Sequence, residues 1–199
     1  MWSIRRPSPA KLDGLLARVA KLPLSYPEVG MTHAANVPAG YGREHQRVEL
    51  AIEFAAAREA VIAFATHRLP YLFVHPADAR AAAGSDVLVV ARVGPLWTTT
   101  PCRIVYVDDG PDRFTYAYGT LPGHSEHGEE TFTVERTAGG VVAETIAYAR
   151  PQDLLARIGA PIAHRFQARV KRDYMAALVA TATKAPEGEP TRWPPSSFV

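Results

Sequence analysis

Apolar and polar positions along the chain change period twice, and those changes divide it into a helical opening, a long strand-rich middle and a helical close. Ser8 and Pro9 read as an N-cap and first helical residue, after which Leu12, Leu15, Leu16 and Val19 recur at helical spacing, predicting a short amphipathic helix within residues 8–22. Pro23, Pro27, Gly30, Pro38, Gly40 and Gly42 then break up residues 23–42 into a loop that wraps the surface and carries Tyr26 and Tyr41. A short strand is expected at residues 43–47. The alanine-rich run 48–69, with Ile52, Ala55, Ala56, Glu59 and Ile62 on neighbouring turns, predicts a helix that Pro70 ends.

Beyond Pro70 the period becomes that of strands for about eighty residues, cut into hairpin lengths by Gly, Pro and Asp. Six strands are predicted, at residues 71–75, 87–93, 102–108, 113–121, 129–136 and 141–148. Asp109-Gly110 and Gly139-Gly140 suit hairpin turns, so the sheet is expected to be largely antiparallel. Pro151 opens a last helical region, interrupted at Gly159 and Pro161. A longer helix follows over residues 162–181, with Ile162, Phe166, Val170, Tyr174 and Leu178 four apart on one stripe that should face the sheet. The fold class implied is α+β: a curved, mostly antiparallel sheet of about seven strands gripping a long C-terminal helix, with an extra N-terminal helix. Residues 1–183 are expected to form a single domain. The segment 184–199, with Pro186, Pro190, Pro194 and Pro195, is poor in core-forming side chains and is expected to be disordered.

Composition narrows the setting. A chain of 199 residues can bury a core without metals or disulfides, and its one cysteine, Cys102, has no internal partner, which fits a reducing compartment. No signal-peptide pattern follows Met1-Trp2-Ser3-Ile4-Arg5-Arg6-Pro7, and no run of about 18 apolar residues exists, so a cytoplasmic location is expected. A formal charge of +2 gives no reason to expect a nucleic-acid or membrane surface.

Chemistry concentrates in residues 113–132. Phe114, Tyr116 and Tyr118 share one face of a strand, Gly119, Pro122 and Gly123 punctuate it, and His124, Glu126, His127, Glu129 and Glu130 follow within seven positions. Metal binding by the histidines and glutamates is disfavoured, because a loop lacks the i, i+4 register of HExxH and no second ligand cluster stands out. His124-Ser125-Glu126 has the HxE spacing of zinc deaminases without the required PCxxC. A glutamate facing an apolar cavity would instead have a raised pKa and act as a proton carrier near neutrality. Glu129 and Glu130 point to opposite faces of a strand, so only one can do this. The commoner fate of such a charge run is a solvated hairpin rim or pairing with arginines.

On the last helix, Arg165 is placed to hold a buried carboxylate, while Gln167 and Tyr174 offer polar groups to a pocket. Arg165, Arg169 and Arg172 form a basic stripe without interleaved aromatics, which favours a solvated face over a nucleic-acid surface. Cys102 reads as an inert buried thiol. There is no Walker loop, no dinucleotide fingerprint and no Ser-His-Asp order, so no cofactor is implied.

The element order resembles the helix-grip fold of the START-like (SRPBCC) superfamily, which implies an apolar ligand held between sheet and helix. More specific are Tyr26-Pro27-Glu28-Val29-Gly30, Pro38-Ala39-Gly40-Tyr41, Tyr116-Ala117-Tyr118-Gly119-Thr120-Leu121-Pro122-Gly123-His124 and Gly128-Glu129-Glu130-Thr131-Phe132. With Arg165, Gln167 and Tyr174, these resemble the family called domain of unknown function nineteen-ninety, over about residues 26–178. Ser125 departs from the proline expected there. The resulting expectation is a small, mostly apolar ligand bound by Tyr116, Tyr118, His124, Glu130, Arg165, Gln167 and Tyr174. A cofactor-independent cyclase, isomerase or hydrolase using Glu130 or His124 is the alternative. A nucleic-acid or protein-interaction module is the third.

Overall fold

The computed structural model describes residues 1–34, 37–151, 173–174 and 176–181. Its opening strand β1, Trp2–Ser3, is followed by helix α1, Pro9–Val19, whose start is set by Ser8: the Ser8 hydroxyl accepts from the Lys11 N–H, and Pro9 occupies the first turn, where its missing N–H leaves no bond unmade. Strand β2, Gly42–Leu50, precedes helix α2, Phe54–Ile62, and a 3-10 turn, Ala65–His67. The remaining strands are β3 (Leu72–His75), β4 (Asp86–Val93), β5 (Leu96–Asp109), β6 (Arg113–Thr120), β7 (Glu126–Thr137) and β8 (Gly140–Pro151).

All pairings among these strands are antiparallel, in the order β2-β8-β7-β6-β5-β4-β3, with β1 added beside β5. Strands β3 to β8 form a meander of hairpins, and a bulge between Ile104 and Tyr106 shifts the β5–β6 register. The expected α+β fold with a curved antiparallel sheet is therefore present. Its strands run longer than their apolar segments suggested: β5 begins at Leu96, and β7 takes in Glu126 and His127. The alternation of apolar positions marks only the part of each strand that is covered.

The helix expected at 48–69 needs correction. Val48, Glu49 and Leu50 pair with Ala143, Val142 and Val141 of β8, so strand pairing claims the first residues of that run and the helix begins only at Phe54. The helix then ends at Ile62, because Phe64 adopts a left-handed conformation (φ 55°, ψ 36°) that redirects the chain into the 3-10 turn.

The two faces of the sheet bury separate cores. On the inner face, Val87, Val89, Cys102, Ile104, Phe114, Tyr116, Phe132 and Val134 pack with Phe54, Ala57 and Val61 of α2 and with Tyr174 and Leu178. Residues 173–174 and 176–181 are helical, and Tyr174 and Leu178 lie in this core as their stripe predicted. Ile162, Phe166, Val170 and the tail 184–199 lie outside the described residues. On the outer face, Leu12, Leu15 and Val19 of α1 cover Leu88, Val90 and Leu121, while Tyr26, Met31 and Tyr41 of the wrapping loop cover Tyr148. Among the described residues no helix is long and apolar enough to cross a membrane.

Candidate functional site

Strand alternation decides what the inner face offers. In β6, Phe114, Tyr116 and Tyr118 point inward, and the register sets Tyr116 beside Phe132 and Tyr118 beside Glu130 of β7. The Tyr116 and Phe132 rings stack with centroids 5.1 Å apart, and the Tyr118 hydroxyl donates to Glu130 Oε2 at 2.6 Å. Tyr174 closes over them, its ring 5.7 Å from Phe132. Four of the seven expected ligand-binding residues, Tyr116, Tyr118, Glu130 and Tyr174, are thus brought together.

Into this ring group the 3-10 turn inserts His67, which is fully buried (0 % exposed). Its ring lies 4.8 Å from Tyr174, 5.2 Å from Phe132 and 6.0 Å from both Tyr118 and Phe64. One nitrogen, Nδ1, is 2.9 Å from the Thr66 hydroxyl. The other, Nε2, has no hydrogen-bond partner among the described residues, and the Tyr116 hydroxyl has, among them, only the Thr66 hydroxyl near it as a hydrogen-bonding neighbour. Native structures rarely leave buried polar atoms unpaired, since each costs on the order of 1–3 kcal/mol. His67 carried no signal of its own in the sequence because it fell within a run read as helix. Thr66 and His67 ahead of Pro70, which disfavours helix before it, were the available hint.

Burial sets the protonation states. It pushes the His67 imidazole down to about 3, so the ring is neutral. Burial likewise raises Tyr116, Tyr118 and Tyr174 well above the ordinary phenol range and raises the Cys102 thiol. Glu130 is pushed up to about 7, chiefly by burial, with the Tyr118 hydrogen bond pulling the other way and the charge of Glu126 adding to the rise. Glu130 is half-buried, its carboxyl held against the Tyr118 hydroxyl.

The other expected residues fall elsewhere. His124 sits in the β6–β7 turn, where its Nδ1 accepts from the Glu126 N–H at 3.0 Å, and burial, with the chain's terminal ammonium and His127 nearby, pushes it down to about 4. Its contacts are with that turn, outside the ring group. Arg165 and Gln167, like Arg169 and Arg172, lie outside the described residues.

The glutamate run is not a solvated rim. Glu129 faces the outer side and is 2 % exposed, its carboxylate accepting from Tyr26 Oη (2.6 Å), Gly30 N–H (2.6 Å), Thr32 N–H (3.2 Å) and Thr32 Oγ1 (2.8 Å). This carboxylate pins the wrapping loop to the sheet, which accounts for Tyr26 and Gly30 in the loop motif and Glu129 in the hairpin motif. Beside it, Thr32, Tyr106, Thr115, Thr131 and Thr133 line a polar outer groove of about 140 Å³.

A family described as "Domain of unknown function (DUF1990)" matches residues 25–177. A "UPF0548 protein" of Deinococcus radiodurans is 30 % identical over 196 residues, covering 92 % of this chain and 99 % of that one. A "UPF0548 protein" of Arabidopsis thaliana is 31 % identical over 134 residues, covering 64 % of this chain and 61 % of its own length. Among solved structures, Ara h 8.0201 superposes with a TM-score of 0.53 at 10 % identity, covering 73 % of this chain and 100 % of that one. A hypothetical protein of Helicobacter pylori gives 0.51 at 8 % identity, with coverages of 80 % and 96 %. At such low identity these two likenesses speak for the fold alone, the START-like helix-grip fold.

Proposed function

The chain belongs to the DUF1990 family, and we propose that it binds a small, mostly apolar ligand between the inner face of the sheet and the C-terminal helical segment. The observation that supports this most is the pairing of an aromatic enclosure with polar groups beside it: Glu130 keeps accessible surface, and His67 Nε2 lacks a partner among the described residues. Apolar walls with a few convergent polar atoms are the usual make-up of a small-ligand site. Tyr116, Tyr118, Glu130, Tyr174 and His67 are its described members.

Native mass spectrometry of freshly purified protein tests this. The expected result is a population carrying one extra small molecule that is lost on denaturation and reduced by Tyr174→Ala. A bare chain, together with no thermal stabilisation by any of a series of six- to twelve-carbon alcohols, overturns it.

A second reading is favoured by one specific observation, the Glu130 carboxyl near neutrality in contact with the Tyr118 hydroxyl, which is how a proton carrier is tuned. The protein would then be a cofactor-independent acid–base enzyme using the same cavity. Glu130→Gln separates the two: lost turnover with binding retained points to catalysis, and weakened binding alone points to a carrier.

A further inference from the structure

We propose that the edge formed by β1 and the β4–β5 turn docks on a lipid bilayer with anionic headgroups, lying on its surface without crossing it. Exposed apolar side chains are the first reason. Among the described residues, Trp2 (60 % exposed) and Ile4 (82 % exposed) stand out at this edge, joined there by the exposed Met1 and Leu96. The β1–β5 register gathers them. Trp2 lies opposite Thr98 and Ser3 opposite Trp97, so Trp2 and Leu96 are diagonal neighbours on one face, and Ile4 follows Trp2 by two positions. The other face of the same edge is covered: the Arg6 guanidinium lies 4.7 Å from the Phe73 ring centroid and 5.6 Å from that of Trp97, and both rings pack with the core under α1. Contiguous exposed apolar patches are uncommon and mark interaction surfaces, and tryptophan is favoured at the headgroup level of a bilayer.

Charge is the second reason. Arg5 and Arg6 follow Ile4 directly, Arg92 stands opposite Trp97, and all three are exposed. Residues 1–12 and 87–107, which build this edge, contain no aspartate or glutamate, and the next acid along the chain, Asp13, faces His75 Nε2 at 2.8 Å. Among the described residues none of the three arginines has a carboxylate within ion-pair distance; Arg92 donates to the Gly94 carbonyl at 3.3 Å. The whole chain carries a formal charge of only +2, so this cationic fringe is a local feature. An apolar protein surface would cover Trp2 and Ile4 and leave the arginines without counter-ions. An anionic bilayer meets both needs, with the apolar side chains at the acyl boundary and the guanidinium groups among the phosphates.

Preorganisation is the third. The Thr99 N–H donates to the Met1 carbonyl at 2.8 Å, and β1 is paired to β5, so the sheet itself presents these side chains and little ordering entropy is lost on docking.

Co-sedimentation of the full-length protein with vesicles of phosphatidylglycerol mixed into phosphatidylcholine, and with vesicles of phosphatidylcholine alone, tests the proposal. Binding to the mixed vesicles is expected to be at least about tenfold tighter and to weaken as salt is raised. Ile4→Ser, at a position too exposed to matter to the fold, should lower that affinity about tenfold. Arg5→Ala with Arg92→Ala should lower it about fivefold per arginine and leave the weaker binding to phosphatidylcholine as it was. Taking two exposed arginines from β2 at the end of the sheet, Arg43→Ala with Arg47→Ala, should change it by less than about twofold. An equal loss from the β2 pair overturns the proposal, because net charge would then be enough. No binding to the mixed vesicles overturns it too, as does binding that Ile4→Ser leaves intact. A concentration-dependent dimer that Ile4→Ser abolishes, with no vesicle binding, assigns the patch to a second copy of this chain and overturns it equally.

Discussion

Glu129 and Glu130 are adjacent in sequence, and the alternation of one strand sends them to opposite environments. Glu129 is matched by donors on every side, so its replacement leaves several buried N–H and O–H groups unsatisfied. Glu129→Ala is expected to cost ~3 kcal/mol or more in urea unfolding. Glu130 behaves in the opposite sense. Its folded pKa, about 7, lies above the ordinary 4.5, so between those values the folded protein holds a proton that the unfolded chain has released. Its contribution is thus full below about pH 4.5 and is lost as pH rises through 7. Glu130→Gln should therefore stabilise the protein by ~2 kcal/mol at pH 8 and make little difference at pH 4, measured by denaturant titration across pH. Part of the slope that remains in this variant comes from His67 and His124, both held neutral by burial. Their unfolded forms take up protons below about pH 6.5, so stability should fall as pH drops toward 4.

At the scale of elements, two glycines explain why hairpin β6–β7 reads as a fixed motif. A Cβ on Gly119 would lie 2.2 Å from Tyr26 Oη, the hydroxyl committed to Glu129. A Cβ on Gly128 would lie 1.9 Å from the Tyr148 carbonyl oxygen. Gly119→Ala must displace Tyr26 and is expected to cost ~1–3 kcal/mol, and Gly128→Ala more, because the obstacle there is backbone. Gly14, exposed in α1 with open space around it, is the control: Gly14→Ala should gain ~0.5–1 kcal/mol. Thermal melts of the three variants give the ranking. The same motif shows what could be read in advance. Period-two alternation and turn residues marked β3 to β8 because those signals are local, and the inward set Phe114, Tyr116, Tyr118 followed directly from them. The attachment of the wrapping loop to Glu129 was not legible, since it joins residues about a hundred positions apart through hydrogen bonds that leave no periodic trace. His67 was hidden because alanine-rich sequence has high helical propensity, and a single left-handed residue, Phe64, decides where that helix ends.

Across the whole molecule, a single sheet carries two cores that share a backbone and no side chains. The outer core depends on α1, where Leu15 is buried against the sheet with Leu12 and Val19. The inner core holds the aromatic group and Glu130. A sheet transmits little packing strain to its far face when a mutation only removes atoms, so the two should be separable. Leu15→Ala is expected to cost ~2–4 kcal/mol in stability through the cavity it leaves, with octanol affinity unchanged. Combined with Glu130→Gln, its stability effect should add to within about 0.5 kcal/mol. Measuring unfolding free energy and probe affinity for the two single variants and the double variant checks both statements. A Leu15→Ala protein that is folded at the assay temperature but has lost its probe affinity would mean that α1 shapes the inner cavity through the sheet, and the division of labour between the faces would then be wrong.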